Sequence, residues 1–183
     1  MTRTESPSRP LEPSAARGPL LRLPDAATLR QVFELKYGRG DQLGWGPRLR
    51  LQHDYYNPDD WYEALLARLV APGMRWLDIG CGRELCPSNR ELAKVLAARA
   101  GRLVGLDPDP TLQENPYVHE KIAAAIADFD GRAAFDLVTL RMVAEHIANP
   151  EECVRGIARA LAPGGLAVVY TVFSWSPMPL LTR

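Results

Sequence analysis

The sequence predicts an α/β protein on a doubly wound, mostly parallel sheet, and three observations lead there. Between Arg75 and Val172, short apolar runs alternate with amphipathic segments whose starts carry capping residues. The first two runs end in Gly80 and Asp107, residues that turn a chain out of a sheet. Strands separated by helices need crossover connections, which pair them in parallel and with a right-handed sense.

The elements follow in order. Residues 1–24 hold five of the sixteen prolines, with Ser, Arg and Glu and no apolar periodicity, the composition of a disordered leader. From Asp25, which can cap, Leu29, Val32, Phe33 and Leu35 make one face of a short helix ending near Tyr37-Gly38. Residues 39–56 place Trp45, Tyr55 and Tyr56 among Gly, Pro and Arg and read as an ordered aromatic loop, so residues 25–56 are expected to form a cap. Asn57-Pro58-Asp59-Asp60 starts a helix that runs to Val70, with a capping side chain, Pro at the first helical position and acids in the first turn. An α/β domain is expected over residues 57–183.

Arg75–Ile79 is the first strand, and Ser88-x-x-Glu91 is a capping box opening a helix over Asn89–Ala100. Leu103–Leu106 is the second strand. Asp109-Pro110 begins a helix that Asn115-Pro116 cuts short. Lys121–Ala127 suits a helix by its alanines and a third strand by its place between turns, and strand is favoured. Phe135–Leu140 is a strand, Asn149-Pro150-Glu151-Glu152 caps a helix to Leu161, and Leu166–Val172 follows Ala162-Pro163-Gly164-Gly165 as the last strand.

Bulk composition removes several classes of function. Lys plus Arg number 22 and Asp plus Glu number 22, so the chain has no basic footprint for nucleic acid. Cys81, Cys86 and Cys153 cannot all pair, and their spacing fits no Cys/His metal motif, which favours a reduced, cytoplasmic compartment. The longest mainly apolar stretch, residues 166–173, falls far below the roughly 18 residues of a membrane span, so no membrane partner is expected. No apolar stretch follows Arg3 and Arg9, so no secretory signal is expected. Arg outnumbers Lys and Ala is abundant, a bias that suits a GC-rich bacterial genome.

In doubly wound sheets the ligand lies beyond the carboxyl ends of the strands, so the chemistry is sought there. After the first strand stands Asp78-Ile79-Gly80-Cys81-Gly82-Arg83-Glu84. Two glycines let the backbone turn tightly and approach a ligand. Dinucleotide loops carry an apolar residue where Asp78 stands, because a carboxylate would repel phosphate. This loop suits a ligand with a cationic group. Asp107 after the second strand can accept the hydroxyls of a ribose, or is a plain turn acid. Asp128-Phe129 suits an adenine amino group and ring face, or is structural.

These residues resemble the class I S-adenosylmethionine-dependent methyltransferases. Trp76–Gly82 looks like their first motif and Val104-Gly-Leu-Asp107 like the second. Phe135-Asp136-Leu137-Val138 looks like the fourth-strand motif, and Leu161-Ala-Pro-Gly-Gly165 like the turn before the fifth strand. The four stand in family order over about residues 55–173. The resemblance implies a Rossmann-like methyltransferase fold with S-adenosylmethionine as cofactor. Gly80 and Gly82 would line its methionine part, Asp78 would sit near its amino group, Asp107 would bind its ribose, and Asp128-Phe129 would face adenine. Cys81, Arg83, Pro108 and Arg141 complete the expected cofactor-binding set, with Arg83 a candidate for the cofactor carboxylate.

Glu145-His146-Ile147 resembles the Glu-His signature of small-molecule and quinone-type members. His146 is the candidate base, since imidazole titrates near neutrality, and His53 in the aromatic loop is the second candidate. In relatives with Glu-x-x-Glu-His those side chains hold a divalent ion, but Met142 takes the first acid's place, so no metal is expected. Members usually continue past the fifth strand with a helix and two further strands. The expectation here is a sheet lacking those two: either a truncated sequence, or a fifth-strand edge covered by a second copy in a homodimer or by a partner chain. The functional expectation is methyl transfer to a small-molecule acceptor through an O, N or C nucleophile. The alternatives are a non-catalytic S-adenosylmethionine-binding or assembly module and, against the missing third glycine and the presence of Asp78, an NAD(P)-dependent oxidoreductase.

Overall fold

The computed structural model describes residues 23–172. The expected leader, save its last two residues, and the segment from Phe173 onward lie outside the described residues. The chain divides into two compact units, Met1–Leu69 and Val70–Arg183.

In the first unit, α1 (Ala26–Tyr37) starts where Asp25 accepts a hydrogen bond from the Thr28 amide, and buries Leu29, Val32 and Phe33. α3 (Pro58–Leu69) packs against α1, and its buried set is mixed: Tyr62, Ala64, Leu66 and Ala67 beside Asp60 and Glu63. The two acids are matched from α1 by Lys36, whose Nζ lies 3.1 Å from Asp60 Oδ1 and 3.3 Å from Glu63 Oε1. Burial pulls this ammonium down, but Glu63 and Asp60 outweigh it and hold the group above its ordinary range.

The aromatic segment corrects the expectation of a loop over residues 39–56. It contains a short 3-10 turn (Gly40–Gln42) and a helix, α2 (Trp45–Gln52). α2 buries none of its residues, so it offers no apolar period to read. Its anchor is a charge. Arg50 pairs with Asp60, donates to Tyr37 Oη at 3.2 Å, and lies 5.0 Å from the Phe33 ring centroid and 5.7 Å from that of Tyr55.

The second unit is built on a five-stranded parallel sheet: β1 (Arg75–Ile79), β2 (Arg102–Leu106), β3 (Glu120–Ile122), β4 (Phe135–Arg141) and β5 (Leu161–Tyr170), in the order β3-β2-β1-β4-β5. The order reverses between β1 and β4, which puts the switch point at the carboxyl end of β1. α4 (Arg90–Arg99) and α5 (Pro150–Ala160) are the crossovers. Asn89, not Ser88, caps α4, its side chain accepting from the Leu92 amide. The segment after β2 is only a five-residue 3-10 turn (Pro110–Glu114), capped by Asp109 and stopped at Asn115.

Alternation along the strands divides the side chains between the faces. Leu77, Ile79, Val104, Leu106, Val138 and Leu140 pack with Cys153, Ile157 and Ala160 of α5 in the core. Trp76, Asp78 and Thr139 point to the other face, with Asp78 opposite Gly105 on one side and Thr139 on the other. β5 starts five residues earlier than expected: Leu161 already pairs with Phe135, and Ala162–Gly165 form an irregularity before the ladder resumes at Leu137–Leu166. Among the described residues β5 is the sheet edge beside β4, with Leu166, Val169 and the following Val172 exposed. No helix among the described residues is long and apolar enough to cross a membrane.

Candidate functional site

The site is assembled at the carboxyl ends of β1, β2 and β4. Asp78 is the fourth residue of β1 and is buried. Its carboxylate accepts from the Thr139 hydroxyl at 2.5 Å, and Thr139 Oγ1 accepts from the Trp76 indole N–H at 2.7 Å. Burial pushes the Asp78 carboxyl up to about 7, against the pull of Thr139 and Arg141 and with a further push from Asp107. A buried carboxylate held this high is one that a cation would stabilise.

The glycine loop then leaves the strand at Gly80, with φ +68°, its amide donating to Leu106 O at 2.7 Å. A β-carbon at Gly80 would lie 2.2 Å from Val143 Cγ2, because the chain beyond β4 crosses this point. That crossing begins at Met142, which has φ +54° and donates its amide to Tyr170 O. A β-carbon at Gly82 (φ +47°) would meet nothing within 4 Å, so this side of the loop faces open space. Cys81 tucks its thiol inward, against Gly105, and burial beside Asp78 and Asp107 raises the thiol well above its ordinary range.

Asp107 ties the loop to β2. Its Oδ2 accepts from the Gly82 amide and its Oδ1 from the Asp109 amide, both at 2.8 Å. Each oxygen keeps a further lone pair for a hydroxyl donor. On the other side of the same residue, Asn115 Nδ2 donates to Gly82 O at 3.0 Å, while Asn115 Oδ1 accepts from the Tyr117 amide. Asn115 is buried, so both ends of the Gly82 residue are fixed by side chains from beyond β2. Arg83, Glu84, Arg90, Glu114, Pro116 and Tyr117 line a groove of about 330 Å³ beside this loop.

The structure brings Asp78, Gly80, Cys81, Gly82 and Asp107 together, with Arg141 at the end of β4 close enough to act on Asp78. Pro108 follows Asp107 and is exposed. Arg83 is exposed and pairs with Glu114 at 3.5 Å. His146 lies, exposed, on a 3-10 turn (Ala144–His146) just past β4, where Glu145 receives a hydrogen bond from the Thr171 hydroxyl. His53 is the exposed C-cap of α2 in the first unit.

Asp128-Phe129 does not join this set. The residues directly past β3 are Ala123, Ala124 and Ala125, so the acid comes six positions after the strand. By then the chain has turned back. Arg159, near the end of α5, donates to Ala127 O, and the Phe129 ring packs 6.1 Å from that of Phe135, the first residue of β4. Asp128 is exposed there, at the opposite end of the sheet. A larger groove of about 550 Å³, lined by Arg132, Arg159 and Leu161 among others, lies at this same amino end and touches none of the site residues.

Four residues of the site were not singled out by sequence reading. Thr139 is a lone hydroxyl inside the apolar run of β4, Trp76 reads only as the opening residue of the first motif, and Asn115 reads only as a helix stop. Val143 carries no signal at all.

Several known proteins are similar to this chain. The family profile described as a methyltransferase domain matches residues 51–181. The ubiquinone biosynthesis O-methyltransferase of Xanthomonas campestris pv. campestris (strain B100) is 28% identical over 116 residues, covering 58% of this chain and 46% of that protein. The enzyme of the same name from Methylobacterium sp. (strain 4-46) is 32% identical over 109 residues, covering 55% of this chain and 41% of that one. The chain thus spans under half the length of these curated relatives. Among solved structures, the N-methyltransferase NodS from Bradyrhizobium japonicum WM9 superposes with a TM-score of 0.49 at 22% identity, covering 62% of this chain and 68% of that one. With the domain match extending over most of its length, the chain belongs to the class I S-adenosylmethionine-dependent methyltransferases.

Proposed function

We propose that this chain binds S-adenosylmethionine at the Asp78, Gly80, Gly82 and Asp107 cluster and supports methyl transfer to a hydroxyl of a small molecule. The observation that carries the reading is the pairing of two buried acids across one glycine loop. Asp78 is a carboxylate in need of a cation, and Asp107 has free lone pairs beside the open side of Gly82. These features match an ammonium and a ribose at the two ends of one ligand.

When bound, the cofactor supplies a methyl group on a sulfonium. Asp78 holds the ammonium, Asp107 orients the ribose, and the open side of Gly82, where a β-carbon would meet nothing within 4 Å, leaves room for the ligand to approach the loop backbone. The chain past β4 leads into the turn that holds His146, exposed there, and its imidazole is the group we assign to take the acceptor's proton. The names of the curated relatives support oxygen as the nucleophile.

Calorimetric titration with S-adenosylmethionine and S-adenosylhomocysteine tests the proposal. Both should bind, and Asp107→Ala should abolish binding in protein that stays folded. Absence of binding by folded wild-type protein would overturn the reading. Binding that persists without turnover on any phenolic acceptor would leave the non-catalytic module. For the base, His146→Gln should lower kcat and leave cofactor affinity unchanged.

A further inference from the structure

Asp78 is held by a neighbour that the family signature does not contain. Trp76, Asp78 and Thr139 project from the same face of the sheet, and all three are buried. Asp78 and Thr139 are register partners on β1 and β4, while Trp76 stands one side-chain repeat before Asp78 on its own strand.

A hydroxyl has one hydrogen and two acceptor lone pairs. Here one lone pair of Thr139 Oγ1 is taken by the Trp76 N–H, which as a buried donor needs an acceptor. The hydrogen of Thr139 has two acceptors in view, Asp78 Oδ1 at 2.5 Å and Leu77 O at 3.5 Å. The nearer contact has the length of a charge-assisted O–H···O⁻ bond, and the farther one lies at the limit of hydrogen bonding. If Asp78 were protonated and donating, Thr139 would be left with only the long contact. Asp78 Oδ1 is therefore committed as an acceptor, and a proton or a cation on this carboxyl is left to Oδ2.

We propose that Thr139, oriented by the Trp76 indole N–H, is the positioning residue that commits one oxygen of Asp78 and presents the other to the cationic end of the cofactor. This inference rests on the reading of Asp78 as the ammonium partner. The charged groups around Asp78 are Arg141 at the end of β4 and Asp107 at the end of β2, and the neutral thiol of Cys81 lies on the loop between them. Thr139 is the uncharged group of this set that donates to Asp78, and a conservative exchange removes that donor without altering net charge.

The test is S-adenosylhomocysteine binding to the full chain by calorimetry between pH 5.5 and 8.5. The proteins compared are wild type, Thr139→Val, Thr139→Ser, Trp76→Phe and Asp78→Asn, with the Asp78 carboxyl carbon followed by NMR in the unliganded protein. Wild-type affinity should rise with pH and level off as Asp78 ionises. Thr139→Val should move that midpoint up by about one pH unit and weaken binding at pH 7 by about tenfold, the order expected for losing a hydrogen bond to a charged group. Thr139→Ser should follow wild type, and Trp76→Phe should shift the midpoint in the same direction as Val by a smaller amount.

Loss of Asp78→Asn binding together with a Thr139→Val profile that overlays wild type would overturn the positioning role alone. Asp78→Asn binding like wild type would overturn the ammonium reading and the proposal with it. Should Thr139→Val not fold, Trp76→Phe decides through the Asp78 carboxyl midpoint, which reads the hydrogen bond and not the packing lost with the buried indole: a midpoint equal to wild type would overturn the proposal.

Discussion

Asp78→Asn removes a charge that the unliganded fold must bury, and the consequence for stability can be worked out from the site. The Asp78 carboxyl lies at about 7 in the folded chain against an ordinary value of 3.8, mainly because it is buried. Between these two values the folded protein holds a proton that the unfolded chain has released, so stability falls as pH rises toward 7 and is constant above it. Three units correspond to about 4 kcal/mol in total, at about 1.4 kcal/mol per unit, and the interval from pH 5 to 7 to about 3 kcal/mol. Asn keeps the acceptor oxygen for Thr139 and does not titrate. The stability of Asp78→Asn relative to wild type should therefore grow by about 3 kcal/mol between pH 5 and pH 8. Paired urea denaturation curves at the two pH values measure it. Ionisations common to both proteins cancel in the difference. A difference that changes by less than about 1 kcal/mol would refute the account of Asp78 as a carboxylate ionised at the expense of the fold. Saturating cofactor should restore wild-type stability at pH 8 and leave the variant unaffected.

Three further outcomes are expected. Lys36→Met removes the buried ammonium that bridges Asp60 and Glu63, leaving Asp60 with Arg50, and should cost about 3 kcal/mol by urea denaturation, whereas a loss below about 1 kcal/mol would show the acids to be satisfied without it. Gly80→Ala must accommodate both φ +68° and a 2.2 Å approach to Val143, so calorimetry should find S-adenosylhomocysteine affinity reduced by tenfold or more, with partial recovery when Val143→Ala is added. Gly105→Ala places a β-carbon 2.6 Å from Cys81 Sγ and should destabilise by about 1–3 kcal/mol through overpacking. Cys81→Ala in the same chain should reduce that penalty in thermal denaturation, and strictly additive effects would exclude this contact as the cause.

The parts of the fold that could be read beforehand are those whose signal is local. β1 and β4 are covered on both faces, which makes each a near-continuous apolar run, and an acid at the fourth place of such a run, Asp78, stands out because nothing in strand packing calls for it. Asp107 is legible for the same reason. α2 was illegible because its stability comes from one arginine reaching an acid ten positions ahead and three aromatic rings, not from an apolar stripe. The Trp76–Thr139 hydrogen bond joins residues 63 positions apart, and neither side chain announces the other. Asp128-Phe129 had the right residue types for adenine at the wrong distance: six residues past β3 are enough to carry the chain to the far end of the sheet.

The bracket on Gly82 has a consequence for when the site comes into being. Asp107 and Asn115, which hold the two ends of that residue, lie 25 and 33 positions downstream. The glycine loop cannot take its shape from its own neighbourhood, as a helix cap does. Its shape depends on β2 being paired with β1 and on the turn past β2 being docked, contacts that close loops of these lengths. Hydrogen exchange should accordingly show the Gly82 amide protected only in states where β2 is in place, and a chain emerging from the ribosome should acquire cofactor affinity only once residues beyond Asn115 are free to fold.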